Sequence, residues 1–141
     1  MEYGFYRNND NPVGPIAEEY KYIGSQFDLY DRLSDIWCAD TCAPRMRDKW
    51  TPENKTYGQC SITAFLAQDI FGGKVYGIKL NDGNFHCFNM VGDSVFDLTS
   101  EQFKEQLDYG VFEEQFREVH FSKQEKKERY EYLKKMLQAT R

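Results

Sequence analysis

The sequence predicts an α+β domain in which a buried helix packs against a small antiparallel sheet. Residues 60–71 are apolar around most of the helix circumference, which is typical of a helix in the middle of a domain. Three short runs separated by turn residues follow this helix and predict a meander of antiparallel strands. Helices and strands are therefore segregated along the chain, as in α+β folds.

The composition is that of a globular domain. The 141 residues include 11 Phe, 10 Tyr and 2 Trp, a content of large side chains that disordered chains lack. At this length we expect one domain over 1–141, with residues 26–141 as its core. No window approaches ~18 consecutive apolar residues, and no secretory signal is visible, so we expect no membrane span and a cytoplasmic location.

The net charge of −5 is unevenly distributed along the chain. Residues 123–141 hold seven basic and three acidic side chains, so this segment is positive while the remainder is acidic. An acidic body repels nucleic-acid phosphates, and the interspersed Glu residues of the basic segment are typical of a solvated helix face. We therefore predict no nucleic-acid partner.

The N-terminal half is predicted to hold an irregular arm, a helix and a long loop. Turn-forming residues predict that residues 1–25 form an irregular arm or a first helical segment. Apolar residues at helical spacing predict a helix over about 26–38, after Gly24-Ser25. Residues 39–58 show neither helical nor strand periodicity, and loops this long in compact domains tend to be functional.

The clearest predicted element is the helix that begins near Gln59-Cys60 and ends before Gly72-Gly73. The first connection between strands contains Asp82-Gly83, which suits a two-residue hairpin turn, and Gly92-Asp93 forms the second turn. The three strands are predicted at 75–80, 85–91 and 94–98.

The C-terminal part is predicted to alternate between helix and strand. A helix is expected from Thr99 or Ser100 to about Leu107, and a strand over 116–121. The final helix is expected over 122–139, because Ser122-Lys123-Gln124-Glu125 matches the reciprocal capping box.

Cys60 is the candidate nucleophile, since it stands at the start of the buried helix. Unpaired N–H groups and the helix dipole stabilise a thiolate there and lower its pKa. Without a secretory signal, the cysteines are not expected to form disulfides, and a buried structural thiol is the alternative for Cys60. The other cysteines, predicted to be packing residues, are Cys38, Cys42 and Cys87.

The candidate base and its orienting carboxylate are His86 and Asp97. The short Gly92-Asp93 turn makes these residues diagonal neighbours on one face of the sheet, with Cα atoms roughly 7–8 Å apart. Cys60 would then be the nucleophile, His86 the general base and acid, and Asp97 the group that orients the imidazole. Taken singly, His86 is more often structural and Asp97 could cap a helix. His120 is predicted to be structural.

An oxyanion intermediate would also need two hydrogen-bond donors. The backbone N–H of Cys60 is one candidate. The side-chain amides of Asn54, Gln59 and Asn89 qualify by position as the other. We expect the 39–58 loop, with Trp50, and the N-terminal arm to contact the substrate.

Several motifs around these residues form a fairly specific pattern. They are Trp50-Thr51-Pro52-Glu53-Asn54, Gly58-Gln59-Cys60-Ser61-Ile62-Thr63-Ala64, Gln68-Asp69-Ile70-Phe71-Gly72-Gly73, His86, Asn89 and Asp97-Leu98-Thr99. With them the chain resembles the YunG-like bacterial proteins over about residues 26–137. That resemblance implies a shared architecture and names no substrate.

The order of the three candidate residues is similar to that of papain-like and transglutaminase-like cysteine enzymes. This similarity implies a papain-like core and acyl-transfer chemistry. In papain-like enzymes a Gln six residues before the Cys helps to form the oxyanion hole, and Asn54 stands at that offset here.

The sequence therefore predicts a cysteine-dependent hydrolase or acyltransferase that acts on an amide or thioester of a small molecule or peptide, without a cofactor. One alternative is a non-catalytic binding domain of the same fold. The other is a zinc-stabilised module built on Cys38 and Cys42. Against zinc, the adjacent His86 and Cys87 point to opposite faces of a strand and would not both bind one ion.

Overall fold

Five short strands form one sheet at the centre of the fold. The computed structural model describes residues 3–141, and every strand pairing in that range is antiparallel. The α+β class with a small antiparallel sheet is therefore confirmed. The strands are β1 (Tyr6–Arg7), β2 (Lys74–Lys79), β3 (Phe85–Val91), β4 (Ser94–Asp97) and β5 (Glu113–Gln115), in the order β1-β4-β3-β2-β5. The α-helices are α1 (Gln26–Ser34), α2 (Cys60–Phe71), α3 (Arg117–His120) and α4 (Gln124–Gln138).

Helix α2 forms where the sequence predicts it, and nine of its twelve residues are buried. It packs on β3 of the sheet and on α4, so the apolar side chains around its circumference are buried. Asn89 on β3 donates its side-chain amide to the Ala64 carbonyl at 2.8 Å, which holds the strand against the helix. Gly72 follows with a φ of 81°, a conformation open to glycine, and ends the helix.

The β3–β4 hairpin has the predicted register. Val91 faces Ser94, and Asn89 faces Phe96, across the short turn. Because side chains alternate along a strand, Asp97 lies on the face opposite to Asn89 and therefore away from α2.

The β2–β3 connection differs from the predicted two-residue turn. Lys79 faces Phe85, and the Leu80 N–H bonds to the Asn84 carbonyl at 2.7 Å, so the loop has three residues. Gly83 closes it with a φ of 88°, the left-handed position that three-residue hairpin loops place last.

The N-terminal arm is more ordered than the sequence predicts, because it supplies an edge strand. In β1, Tyr6 pairs with Asp97 and Arg7 with Phe96 of β4. The possible first helical segment within residues 1–25 forms only a 3₁₀ turn, at Glu18–Tyr20. Met1 and Glu2 of the predicted arm lie outside the described residues.

The prediction of a helix from Thr99 to Leu107 is wrong, since only a 3₁₀ turn forms, at Ser100–Gln102. Phe103 then adopts an extended backbone, and its ring packs edge-on against the His86 imidazole at 4.7 Å between centroids. Tertiary packing of this aromatic ring thus overrides the local helical pattern.

The strand predicted over 116–121 is also wrong. The strand β5 lies earlier, against β2, where a Cβ on Gly77 would come within 2.8 Å of the Gln115 amide. Glycine at position 77 leaves room for the Gln115 side chain because it has no Cβ. After β5 the chain continues into α3.

The final helix is confirmed as α4, but the predicted capping box does not form. The Ser122 hydroxyl donates to the Val119 carbonyl, and Lys123 occupies the N-cap without a side-chain cap. The 39–58 loop contains two 3₁₀ turns, at Pro44–Lys49 and Pro52–Asn54. Within residues 3–141, no helix has the length and apolar character needed to cross a membrane.

Candidate active site

Cys60 lies in the first turn of α2, as the sequence predicts. The first hydrogen bond of the helix runs from the Thr63 N–H to the Gln59 carbonyl. The N–H groups of Cys60, Ser61 and Ile62 therefore have no acceptor within the helix. These groups and the helix dipole favour negative charge on the Cys60 sulfur.

His86 and Asp97 form a buried pair on the sheet face away from α2. The Nε2 atom of His86 lies 2.6 Å from Oδ2 of Asp97, and each side chain is only 1% exposed. The register derived from the sequence does bring the two side chains together. Because Nε2 bonds to Asp97, Nδ1 is the ring nitrogen left for the Cys60 thiol, which lines the same cavity as this imidazole.

Asp97 accepts hydrogen bonds at both carboxylate oxygens. Tyr109 donates its hydroxyl to Oδ2 at 2.6 Å, while Thr99 donates its N–H and hydroxyl to Oδ1 at 3.2 and 3.4 Å. Burial and the Asp97 charge raise the pKa of Tyr109 above its ordinary value, so its hydroxyl stays a donor at neutral pH. The sequence carried no signal for Tyr109, because this contact depends on where the chain returns after Phe103.

Cys87 is the second neighbour of the Cys60 sulfur. Adjacent strand residues point to opposite faces, yet Cys60 lies beside the end of β3 and contacts both His86 and Cys87. Its sulfur also lies 3.9 Å from the Phe85 carbonyl oxygen. Cys87 and His86 are both buried, each only 1% exposed.

These contacts shift the pKa values of both groups toward an ion pair. Hydrogen bonds from Cys87 and His86, with the charge of His86, hold the pKa of Cys60 well below its usual value, although burial opposes this. The same contact and burial raise the pKa of Cys87. Burial alone would lower the pKa of His86, but Asp97 and Cys60 raise it to about 10. Both shifts favour a thiolate beside an imidazolium.

A cavity of about 590 Å³ opens beside the Cys60 sulfur and the His86 ring. The segment from Ala43 to Met46 forms part of its wall, as expected for the 39–58 loop. Another part of the wall comes from α3 and the start of α4, which contribute His120 and Lys126. The N-terminal arm lies beside β4 and does not line this cavity, contrary to expectation.

The structure does not bring the predicted oxyanion and substrate residues to this cavity. Asn89 faces α2, Gln59 donates its amide to the Cys38 carbonyl at 3.1 Å, and Trp50 donates its indole N–H to the Lys55 carbonyl at 3.0 Å. Asn54 lies in the 3₁₀ turn that Pro52 begins, outside the cavity wall. Only the backbone N–H of Cys60 remains from the predicted donors.

Gln102 is a side-chain amide that does line the cavity, and the sequence did not indicate it. Its Oε1 accepts from the Gly58 N–H at 3.4 Å, and its Nε2 donates one hydrogen to the Thr99 carbonyl at 3.0 Å. An amide nitrogen carries two hydrogens, so one donor of Gln102 remains available in the cavity that Cys60 also lines.

The zinc alternative lacks a set of ligands in the structure. Across residues 3–141, no group of three or more His, Cys, Asp or Glu side chains is arranged to hold a metal ion. Cys42 is buried, and burial raises its pKa, which disfavours the thiolate that binds metals.

Comparison with known proteins identifies relatives of the chain. The profile of the family described as YunG protein matches residues 25–141. The chain is 41% identical over 61 residues to "Uncharacterized protein YunG" of Bacillus subtilis (strain 168), an alignment that covers 43% of this chain and 52% of that protein. It thus spans about half the length of this curated relative. No solved structure matches the chain. Since the family profile covers most of the sequence, the chain belongs to the YunG family.

Proposed function

We propose that this protein is a cysteine-dependent acyl-transfer enzyme that acts on an amide or thioester through Cys60, His86 and Asp97. The observation that carries the proposal is the position of His86, whose imidazole lies 2.6 Å from Asp97 and lines the same cavity as the Cys60 thiol. A nucleophile, its base and a third group that orients the base are the parts that such chemistry requires. The cavity beside Cys60 provides space for a substrate.

In the first step, the Cys60 sulfur attacks the carbonyl carbon and forms a C–S bond. The bond to the leaving nitrogen or sulfur then breaks, and His86 gives its Nδ1 proton to the leaving group. Water or an amine attacks the resulting thioester while His86 takes its proton, and the Cys60 thiolate leaves with the bonding electron pair. Asp97 keeps the imidazole oriented throughout and stabilises its charged form.

Gln102 and the Cys60 N–H are the donors that we assign to the oxyanion. The predicted donors Asn54, Gln59 and Asn89 lie elsewhere, whereas the Gln102 amide lies in the cavity wall. Removal of one such donor typically slows the chemical step about 10²–10³-fold. Gln102→Leu should therefore reduce the rate of acyl transfer to Cys60 far more than it reduces alkylation of the same thiol.

The pH dependence of Cys60 alkylation tests the proposal. Each of the four thiols is followed by peptide mass spectrometry during reaction with iodoacetamide between about pH 5 and about pH 10. We expect Cys60 to react well below pH ~8.5, the ordinary pKa of a cysteine, and His86→Ala to move its profile upward. A Cys60 that reacts no faster than the solvent-accessible Cys38 would sink the proposal.

Alkylation reports only the reactivity of the Cys60 thiol, whereas acylation tests the transfer of an acyl group to it. Incubation with p-nitrophenyl acetate should acetylate Cys60 and release nitrophenolate, with Cys60→Ser as the negative control and Cys38→Ser as the matched control. Reactive alkylation without acylation or turnover would instead support the non-catalytic binding domain.

A further inference from the structure

The cavity wall also contains three polar side chains that are linked by hydrogen bonds and that the proposed chemistry does not use. Lys126 Nζ donates to Nδ1 of His120 at 2.9 Å, and Nε2 of His120 donates to Oε1 of Gln115 at 2.9 Å. All three residues line the same cavity as Cys60. The sequence indicated none of them, since Lys126 belongs to the basic face of α4 and His120 was expected to be structural.

The direction of these hydrogen bonds follows from the charge of His120. Burial and the Lys126 ammonium lower the pKa of His120 to about 4, so its imidazole is neutral at pH 7. A neutral imidazole has one donor and one acceptor nitrogen. The Gln115 carbonyl takes the donor, which leaves Nδ1 as an acceptor that holds the Lys126 ammonium in place.

Lys126 is half-buried, and burial lowers the pKa of its ammonium while the charge of Cys60 in the same cavity raises it. Within residues 3–141, no carboxylate lies at ion-pair distance from its Nζ atom. The two arginines of the cavity wall are different, because Arg129 is paired with Glu125 and Arg45 with Asp82. An ammonium carries three N–H donors, and His120 takes only one of them.

We propose that Lys126, positioned by His120 and Gln115, is an anion-binding residue that selects substrates with a carboxylate group near the bond attacked by Cys60. A single positioned ammonium matches one negative charge, as on a carboxylate, better than the double charge of a phosphate monoester. The inference rests on the proposed function for the identity of the reacting bond. The anion-binding role itself depends only on the cavity and its charges.

A series of alkylating reagents that differ in charge tests this role on the intact chain. Iodoacetate carries a carboxylate, iodoacetamide is its neutral analogue, and 2-bromoethylamine is cationic. Each reagent forms the same kind of C–S bond at Cys60 while a halide leaves with the bonding electrons. The ratio of the iodoacetate rate to the iodoacetamide rate cancels the reactivity of the thiolate, because both reagents react with one sulfur.

We expect Lys126→Gln to lower this ratio at Cys60 by about fivefold or more, since it removes a charge close to the incoming carboxylate in a partly desolvated site. Lys126→Arg should retain most of the ratio. Lys127→Gln is the matched control, because it makes the same charge change one residue away, on an exposed side chain outside the cavity. The rate with 2-bromoethylamine should rise in Lys126→Gln.

The outcomes separate the two proposals. If Lys126→Gln and Lys127→Gln change the ratio equally, only the general charge of the helix matters and the anion-binding role is wrong. If Cys60 has ordinary thiol reactivity, the enzyme proposal fails, but the ratio measured at about pH 8.5 still tests Lys126 on the ionised thiol.

Discussion

The two histidines of the chain lie beside the same thiol but are driven to opposite charge states. His86 and His120 both line the cavity with Cys60, and burial lowers the pKa of each. Asp97 and Cys60 together outweigh burial at His86 and raise its pKa to about 10, whereas Lys126 adds to burial at His120 and brings its pKa to about 4. Burial acts in the same direction on both rings, so the charge of the neighbouring groups makes the difference between them.

This difference gives the two histidines different chemical roles within one cavity. A histidine paired with a carboxylate keeps a proton that it can give to a leaving group. A histidine paired with an ammonium stays neutral and acts as a fixed acceptor. Neither imidazole should titrate near its ordinary pKa of ~6.5, which NMR of the ring protons would show directly.

The largest expected effect comes from Asp97→Asn. This change keeps the shape of the side chain but removes the negative charge that raises the pKa of His86. Burial then dominates, so the pKa of His86 should fall and its imidazole should become neutral. Breaking one side of a buried charged pair should lower the free energy of unfolding by about 3 kcal/mol. Urea unfolding measures the stability. The pH profile of Cys60 alkylation by iodoacetamide shows whether the change at His86 raises the pKa of Cys60.

Unchanged stability and an unchanged Cys60 profile in Asp97→Asn would contradict the ion pair. Asp69→Asn is a useful comparison, because Asp69 pairs with Arg117 at a partly exposed position away from the cavity.

The next effect is that of Tyr109→Phe, which removes one donor from the buried Asp97 carboxylate. Hydrogen bonds to charged groups contribute about 1.5–3 kcal/mol, so we expect a loss of about 2 kcal/mol in the free energy of unfolding. Tyr6→Phe is the matched control, since the Tyr6 ring stacks on Tyr109 at 3.8 Å between centroids and its hydroxyl makes no hydrogen bond within the described residues. Equal losses in the two variants would show that the hydroxyl of Tyr109 is not the source.

A smaller effect is expected from His120→Gln, and it depends on pH. The folded-state pKa of His120 is about 4, below the unfolded value of ~6.5, so the unfolded chain binds the proton first. The free energy of unfolding should therefore fall as pH decreases from about 6.5 to about 4. Gln removes this loss, which is on the order of 1 kcal/mol after allowance for solvent screening.

The measurement is the difference between the variant and the original chain at each pH, because other groups titrate equally in both. A difference that stays constant from about pH 7 to about pH 4 would show that His120 is not held neutral.

The smallest effect is expected from Cys87→Ala. Loss of its thiol removes the leading contact that lowers the pKa of Cys60, so less thiolate is present at low pH. A thiol is a weak donor, and we expect a drop of only about threefold in the rate of Cys60 alkylation near pH 6. Cys42→Ala removes another buried thiol and serves as the control. A slower reaction in both variants would indicate a general effect of a core cavity.

The sequence predicted the elements that local patterns determine. The apolar stripes and the Gly72-Gly73 terminator defined α2, and the short Gly92-Asp93 turn set the register that joins His86 to Asp97. Both depend on residues close together in the chain. The Cys60 position follows in the same way, because helix N-termini carry local signals.

The rest of the cavity wall was not predictable in this way. Gln102, His120 and Lys126 meet Cys60 only after the chain leaves the expected helix at Phe103 and pairs β5 with β2. Those steps depend on an aromatic contact with His86 and on the space above Gly77, which a periodicity does not reveal. The expected donor Asn89 is a different case, because it lies three residues from His86 on β3 and strand alternation alone places it on the α2 side of the sheet.

The pairing of β1 with β4 has a consequence for how the protein is handled. The family profile begins at residue 25, yet Tyr6 and Arg7 cover the outer edge of the strand that carries Asp97. A fragment cut to the family boundaries would leave the N–H and C=O groups of that edge open. Exposed edges of this kind recruit strands from other molecules, so we expect the trimmed fragment to self-associate by strand exchange or to aggregate.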